Sequence, residues 1–438
     1  MTHDHPRKLI VEGLIKVSNS GFSNLVFSSL IQDPKLSAQD KAFVAKVFYG
    51  TVERKITLNY ILQKFISKPI SKLDVEVLAI LQSGLYQILY MNAVPAFAAI
   101  NQAVGLCPIF KKTSAKGLVN AVLRKAIGFE IEKESFPDPK TELSVKYSVD
   151  KGILELLIRD YPKEYREILQ SFFTAPPLTV NVNTYKISVA EYQALLEKEE
   201  VEYRNTEIEN CLEIYHKGNI MSLPGFSEGF FFVQGITSQY ALCAAGIKSG
   251  DSVLDLCAAP GGKTFAADII LKGSGSITAC DPNPSRLSLI EDGGAKLGFG
   301  NIFTMENMGE VFNPSLCAQD VVLCDVPCSG IGIIPKKPDL RYKDLKDVGK
   351  LCLLQYEILT TASKYLKEKG RLVYSTCTLN RAENEDVVKK FLQENENFRL
   401  INQNCPIKGA VNDDNMVTFV PSKGNYDGFF IAVMEKVW

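Results

Sequence analysis

From about residue 231 the apolar positions fall into short unbroken runs, separated by longer stretches in which they recur every three or four residues. VLDLC (253–257), SITACD (276–281), DVVLCD (320–325) and RLVYST (371–376) are such runs, and LLQYEILTTASKYL is one of the helical stretches between them. Near-continuous apolar strands alternating with helices predict a parallel sheet covered on both faces. Upstream the pattern changes. In PPLTVNVNT, Leu178, Val180 and Val182 alternate with Thr179, Asn181 and Asn183, the period of a half-buried strand, and residues 145–230 read as a small α+β mixture. Residues 7–128 show only the helical period. Val77, Leu78, Leu81, Leu85, Ile88 and Leu89 mark one helix, bounded by Pro95, and Leu118, Val119, Val122 and Leu123 mark another. FPDPK (136–140) punctuates the chain as a linker. The expected division is therefore 1–140, all helical; 141–230, small α+β; and 231–438, α/β.

Composition changes this picture little: 438 residues, 46% hydrophobic and 23% charged, describe a globular chain long enough for several cores. No apolar run is long enough to span a bilayer, and MTHDHPRK lacks the apolar core of a signal peptide; a cytoplasmic protein is expected. The distribution of charge says more. Residues 1–128 carry 16 Lys and Arg against 7 Asp and Glu, a net of +9, whereas the whole chain has a net charge of −1. That asymmetry suggests a polyanion-facing N-terminal domain, with Lys111, Lys112, Lys116, Arg124 and Lys125 as candidate phosphate contacts. An ordinary solvated basic surface is the alternative.

Histidine is nearly absent: His3, His5 and His216 are all there are. A Ser-His-Asp or Cys-His mechanism would have to use His216, since the other two stand in an N-terminus expected to fray. The eleven cysteines include no C-x-x-C pair, so neither a disulfide framework nor a metal site is expected. The chemistry of an enzyme built this way falls to cysteines and carboxylates.

The stretch VLDLCAAPGGKT (253–264) draws them together. A strand ending in Asp255, a turn through Pro260, Gly261 and Gly262, and the apolar helix that follows place backbone N–H groups and a positive dipole end beneath a ligand. A P-loop would need glycine where Cys257 stands, and the G-x-G-x-x-G dinucleotide fingerprint is absent, so a nucleoside-type cofactor is expected. Asp281 ends the next strand about 20 residues on, the place of an acid that hydrogen-bonds a ribose. The third strand ends DVPCSG and the fourth STCT, which bring Asp325, Cys328 and Cys377 to the same rim. Buried cysteines are usually small hydrophobes, which covers Cys107, Cys243 and Cys352. Cys328 and Cys377 each follow a strand directly, where loops present functional groups.

CAAPGGKT, DVPCSG and YSTCTLNRAENEDVV resemble the signature blocks of RNA cytosine-5 methyltransferases. Over almost the whole length the chain is similar to the bacterial 16S ribosomal RNA cytosine-5 methyltransferases of the RsmB (Sun, Fmu) type, GFFFVQGITSQ and NYDGFF included. The resemblance implies a NusB-like helical domain at the N-terminus, a small RNA-recognition-like α+β module, and a Rossmann-like methyltransferase domain. It implies S-adenosylmethionine as cofactor and 16S ribosomal RNA, free or in a partly assembled subunit, as substrate, with no metal and no membrane. The reaction it implies is methylation of carbon 5 of one cytosine, of the cytosine-967 kind, through a covalent cysteine adduct. Carried over by position, the cofactor-binding set is Cys257, Ala258, Ala259, Pro260, Gly261, Gly262, Lys263, Asp281, Arg286, Asn307 and Asp325. Cys377 is the nucleophile, Asp325 a hydrogen-bond partner of the ring nitrogen, and Cys328 the residue that assists release; DNA cytosine methyltransferases use their Pro-Cys thiol as nucleophile instead.

Four positions depart from the family pattern. Gly235 and Asn307 stand where acids are usual, Val326 replaces an alanine, and Asn181 an arginine; Asn307 bears on cofactor affinity. The alternative of a NusB-like RNA-binding protein with an inactive cofactor domain is opposed by the intact pair Cys328 and Cys377, since loss of either would have favoured it, and transfer RNA is the alternative substrate.

Overall fold

The structure, a computed structural model, describes residues 5–19, 21–216 and 218–438; His3 lies outside them. The chain forms two compact units, Met1–Arg159 with Lys336–Asp344, and Asp160–Pro335 with Leu345–Trp438.

The first unit is helical: α1 (His5–Ser18), α2 (Ser23–Leu30), α3 (Ala38–Glu53), α4 (Lys55–Phe65), α5 (Val75–Tyr90), α6 (Ala96–Ile109), α7 (Lys116–Lys125), α8 (Pro139–Tyr147) and α9 (Lys151–Asp160). The helices marked by the apolar positions 77–89 and 118–123 are α5 and α7. A helix that is apolar on most sides has to be central, and α5 packs against α1, α3, α4, α6 and α7. His5 does not fray: it opens α1, with Nε2 2.9 Å from the Asp33 carboxylate. Residues 336–344, encoded far downstream, complete this unit. Arg341 is fully buried there, donating to the Tyr147 carbonyl at 3.0 Å, and burial lowers its guanidinium to about 10. The Tyr342 hydroxyl donates to Val52 O at 2.6 Å and accepts from the Lys55 N–H at 3.0 Å.

The second unit carries α10 (Tyr165–Ser171) and two sheets. The small sheet has the order β2-β3-β1-β4, all antiparallel, from β1 (Leu178–Val182), β2 (Glu202–Asn205), β3 (Cys211–Tyr215) and β4 (Phe231–Val233). Helix α11 (Val189–Lys198) covers it, started by a reciprocal Ser188–Glu191 capping box. Strand β1 is buried on both sides, not half-buried as its alternation suggests. Its polar positions have partners: the Thr179 hydroxyl donates to Gln234 O at 2.8 Å, and the Asn181 amide to Gln234 Oε1 at 3.1 Å.

The large sheet is built from β5 (Ser252–Asp255), β6 (Ser276–Asp281), β7 (Ile302–Glu306), β8 (Gln319–Asp325), β9 (Leu366–Thr376), β10 (Phe398–Leu400), β11 (Val411–Asp413), β12 (Met416–Phe419) and β13 (Phe429–Lys436). Its order is β11-β12-β13-β9-β8-β5-β6-β7, with β10 also on β13. The four apolar runs are β5, β6, β8 and β9, and β7 joins them in the parallel part. The sheet is mixed, not purely parallel: β13 runs antiparallel to β9 and β12, so the chain's last strand is inserted between β9 and the edge pair β12 and β11. One apolar face packs under α12 (Ile236–Ala245) and α13 (Gly262–Leu271), the other under α15 (Val348–Ser363) and α16 (Glu385–Glu394); α14 (Pro284–Leu297) lies against β6 and β7. Among the described residues no helix is long and apolar enough to cross a membrane, and no group of three or more His, Cys, Asp or Glu could hold a metal ion.

Candidate active site

From β5 the chain steps to β6 and β7 on one side, then returns to β8 and β9 on the other. The order of strands therefore reverses between β5 and β8, and ligands of open α/β sheets sit outside the carboxyl ends at such a point. Register sets what stands there. Asp325 pairs with Ser375, Asp255 with Leu323, and Asp281 with Glu306, so Asp255, Asp281, Asp325, Asn307 and Cys377 all reach one edge.

The turn between β5 and α13 forms the floor. Gly261 caps α13 with φ of 106°, a conformation that costs an L side chain energy, and a Cβ there would stand 2.6 Å from the Phe265 ring. The free first-turn N–H groups and dipole of α13 thus meet the edge where the carboxylates gather. Arg286 binds the turn to the neighbouring strand: Nη2 donates to Ala259 O at 2.6 Å and Nη1 lies 2.9 Å from Asp281 Oδ2. Asp281 Oδ1 accepts the Asn283 N–H at 3.0 Å. The Asn307 amide donates to Met308 O and Val311 O, at 2.7 and 3.2 Å, which fixes the loop after β7 and leaves its carbonyl oxygen as the acceptor to offer. Ala258 and Ala259 are buried and Pro260 is exposed.

Asp255, fully buried, accepts from the Thr264 hydroxyl at 2.8 Å, and its Oδ1 has no partner at hydrogen-bonding geometry. Burial pushes its carboxyl up to about 6, against the opposing pull of Thr264 and of the Lys263 charge. Cys257 is raised well above an ordinary thiol, first by burial and then by Cys324 and the surrounding carboxylates; it is a neutral wall of the site, not a nucleophile.

Lys263, nearly buried, places Nζ 2.6 Å from Asp325 Oδ2 and 5.1 Å from the centre of the Phe429 ring. Asp325 Oδ1 accepts the Ser375 hydroxyl at 2.9 Å. The Cys328 and Cys377 sulfurs are 3.2 Å apart, both as free thiols. The contact with Cys377, then burial, then the Glu383 charge hold the Cys328 thiol well above its usual range. At 3.2 Å the two sulfurs are within hydrogen-bonding distance, and either can be the donor. The loops are locked beside them: Ser329 Oγ and Thr378 Oγ1 are 2.6 Å apart, and the Gly332 N–H donates to Cys377 O at 3.0 Å. His216 pairs with Ser222 at 3.0 Å in an exposed turn, away from any Ser-His-Asp arrangement. Ser375, Phe429 and Gly332 escaped the reading of the sequence as site neighbours. For Phe429 the NYDGFF block was the available signal, and for Ser375, whose hydroxyl donates to Asp325, the YSTCT block; Gly332 acts through its backbone, which leaves none.

Residues 244–435 match the profile of the 16S rRNA methyltransferase RsmB/F family. Residues 4–128 match the NusB family, and 152–221 the ferredoxin-like domain of RsmF/B-like methyltransferases. A probable ribosomal RNA small subunit methyltransferase B of Bacillus subtilis is 33% identical over 449 residues, covering 98% of both chains. The chain belongs to the ribosomal RNA small subunit methyltransferase B family. A Synechocystis member of the family is 33% identical over 431 residues and 95% of each chain. The fold is shared with the crystal structure of PH0851, with a TM-score of 0.85 and 23% identity over 98% of this chain and 99% of that one. A Pyrococcus horikoshii methyltransferase homologue is similar over 68% of this chain and 99% of its own, with a TM-score of 0.61 and 25% identity. As a family member the chain uses S-adenosylmethionine. The residues fit it: a carboxylate at the end of β6 suits ribose hydroxyls, and the unmatched Asp255 Oδ1 and the α13 N-terminus suit the two charges of an amino-acid moiety. The small module the resemblance described as RNA-recognition-like is the ferredoxin-like domain of this family.

Proposed function

We propose that this chain methylates carbon 5 of a specific cytosine of 16S ribosomal RNA, cytosine 967 by its resemblance, through a covalent adduct with Cys377. The observation that carries the reading is the pair of thiols 3.2 Å apart beside the Lys263–Asp325 ion pair. S-Adenosylmethionine, when bound, supplies an electrophilic methyl group. Carbon 5 of cytosine is too poor a nucleophile to take it unaided. Addition of the Cys377 thiolate to carbon 6 would push the ring electrons toward carbon 5, which could then take the methyl group as its bond to the sulfonium sulfur breaks, the electron pair staying on sulfur. Asp325, its oxygens engaged by Lys263 and Ser375, accepts a hydrogen bond from the ring nitrogen once that nitrogen is protonated in the adduct, and Lys263 orients Asp325. For release, carbon 5 gives its proton to Cys328 in its thiolate form. The C–H electron pair restores the ring double bond, and the C6–S bond breaks with its electrons returning to Cys377. The base has to be splayed from any stack to reach these groups.

The proposed division of labour is 1–140 for RNA binding, 141–230 for a further RNA contact and 231–438 for chemistry, in a cytoplasmic protein. Lys111, Lys116, Arg124 and Lys125 are exposed, whereas Lys112 is drawn to Asp74 and Glu76, at 2.7 and 3.4 Å. Four exposed cations support a phosphate-facing surface, whose affinity falls with salt.

The test is transfer of radiolabelled methyl from S-adenosylmethionine to unmodified 16S RNA, with denaturing gels to catch adducts. Cys377→Ala is expected to abolish both transfer and adduct, and Cys328→Ala to accumulate a covalent RNA–protein complex. A wild-type protein that binds 16S RNA but methylates neither it nor transfer RNA would make this a binding protein.

A further inference from the structure

The mechanism leaves one buried acid unused. Glu383 is fully buried in the turn that leads into α16. Its Oε2 accepts the Ser329 N–H at 2.8 Å and the Gln355 amide at 3.0 Å, and its Oε1 accepts the Asn380 amide at 2.9 Å. Three N–H donors converge on a group that, as a carboxylate, can only accept. The Gln355 amide also donates to Pro327 O at 2.8 Å. Glu383 therefore grips Cys328 from both sides in sequence, Ser329 directly and Pro327 through Gln355. Its own backbone is held by β9, since the Tyr374 hydroxyl donates to Glu383 O at 2.5 Å.

The Cys377 loop has separate supports. Thr376 Oγ1 donates to Asn384 Oδ1 at 2.6 Å, the Asn384 amide donates to Thr378 O at 3.0 Å, and the Gly332 N–H meets Cys377 O. Glu383 also reaches the Cys377 loop through Asn380, and the two loops meet at Ser329 and Thr378, whose hydroxyl oxygens are 2.6 Å apart. Loss of its grip on Ser329 and Gln355 loosens the Cys328 loop first, because Cys377 keeps the direct contacts made by Thr376, Thr378 and its own carbonyl.

We propose that Glu383 is a positioning residue for the release step, holding the Cys328 loop against the Cys377 loop without touching the substrate. This rests on the covalent mechanism above, with Cys377 adding and Cys328 assisting release. A positioning error of an ångström costs a reacting pair about a hundredfold in rate, so a loosened Cys328 slows release and spares addition.

The experiment uses the full chain, an unmodified 16S RNA transcript and labelled S-adenosylmethionine, and compares a first turnover with steady-state turnover. Glu383→Gln preserves size but sets an amide NH2 against one of the three donors. Its first-turnover burst is expected to stay near that of wild type, while steady-state turnover falls about tenfold to a hundredfold and a covalent RNA–protein band appears. A purely structural defect would lower burst and band together. Equal turnover in Glu383→Gln and wild type overturns the proposal, as does joint loss of burst and adduct in a variant with wild-type melting. If Glu383→Gln does not fold, Gln355→Met decides: it removes one donor and the link to Pro327, and is expected to give the same split in weaker form. Unchanged turnover in that variant overturns the proposal. Absence of methyl transfer by wild type sinks the mechanism itself, and is read without any variant.

Discussion

At the scale of the residue, the environment of each acid sets its part. Asp281 and Asp325 face cations at the strand ends, whereas Asp255 is fully buried and its carboxyl is pushed up from 3.8 to about 6. A folded state that holds its proton more tightly than the unfolded chain gains stability at low pH and loses it as pH rises between those two values. For Asp255 the loss amounts to about 3 kcal/mol, complete above about pH 6. Asp255→Asn is expected to remove that decline and to make the methyltransferase unit more stable at pH 8. Urea midpoints of both proteins at pH 4, 6 and 8 check it, and parallel curves would contradict the assignment. Single residues were also where the sequence was most and least legible. Asp281, Asp325, Cys328 and Cys377 could be placed because each ends or follows an apolar run. Glu383 could not, because RAENE reads as the solvated start of a helix and nothing in its spacing announces three inward N–H donors.

At the scale of elements, the central parallel strands were readable because burial on both faces leaves unbroken apolar runs. Strand β7 was not: IFTME lies at the sheet's edge, where Phe303 is exposed and burial imposes no pattern. The place of the antiparallel β13 is not legible for a related reason, since its pairing with β9 joins segments distant in sequence. This C-terminal strand is not peripheral to the site. Gly428, just before β13, abuts Gly332 so closely that a Cβ on Gly332 would lie 2.1 Å from Gly428 O. Gly428 also donates its N–H to Gly332 O at 2.9 Å, and Gly332 in turn holds Cys377 O. Gly332→Ala therefore has to push two backbones apart. It is expected to cost about 1–3 kcal/mol and to lower methyl transfer more than cofactor binding. Thermal melting, calorimetric titration with S-adenosylmethionine and the labelled-methyl assay together test this, and wild-type transfer by the variant would refute it.

At the scale of the whole molecule, the charge asymmetry and the three family matches agree on a basic helical N-terminal part followed by a catalytic part. Nothing in the spacing of residues 336–344 marks them as part of the helical unit, because Arg341 and Tyr342 are anchored largely on the backbone groups of Val52, Lys55 and Tyr147, which carry no side-chain signature. Arg341→Ala removes a fully buried side chain and strands the Tyr147 carbonyl, an expected loss of about 2–4 kcal/mol. Hydrogen exchange should quicken in α3, α8 and α9 and stay unchanged in β8 and β9; equal protection throughout would refute the anchoring role. The same threading has a consequence for synthesis. The helical unit leaves the ribosome first, yet the piece that completes it follows only after residues 160–335 have been made. At about 5–20 residues per second that interval is about 9 to 35 s. Throughout it, the backbone groups of Val52, Lys55 and Tyr147 that Arg341 and Tyr342 satisfy wait on translation, so the helical unit finishes folding on a schedule set by the unit made after it.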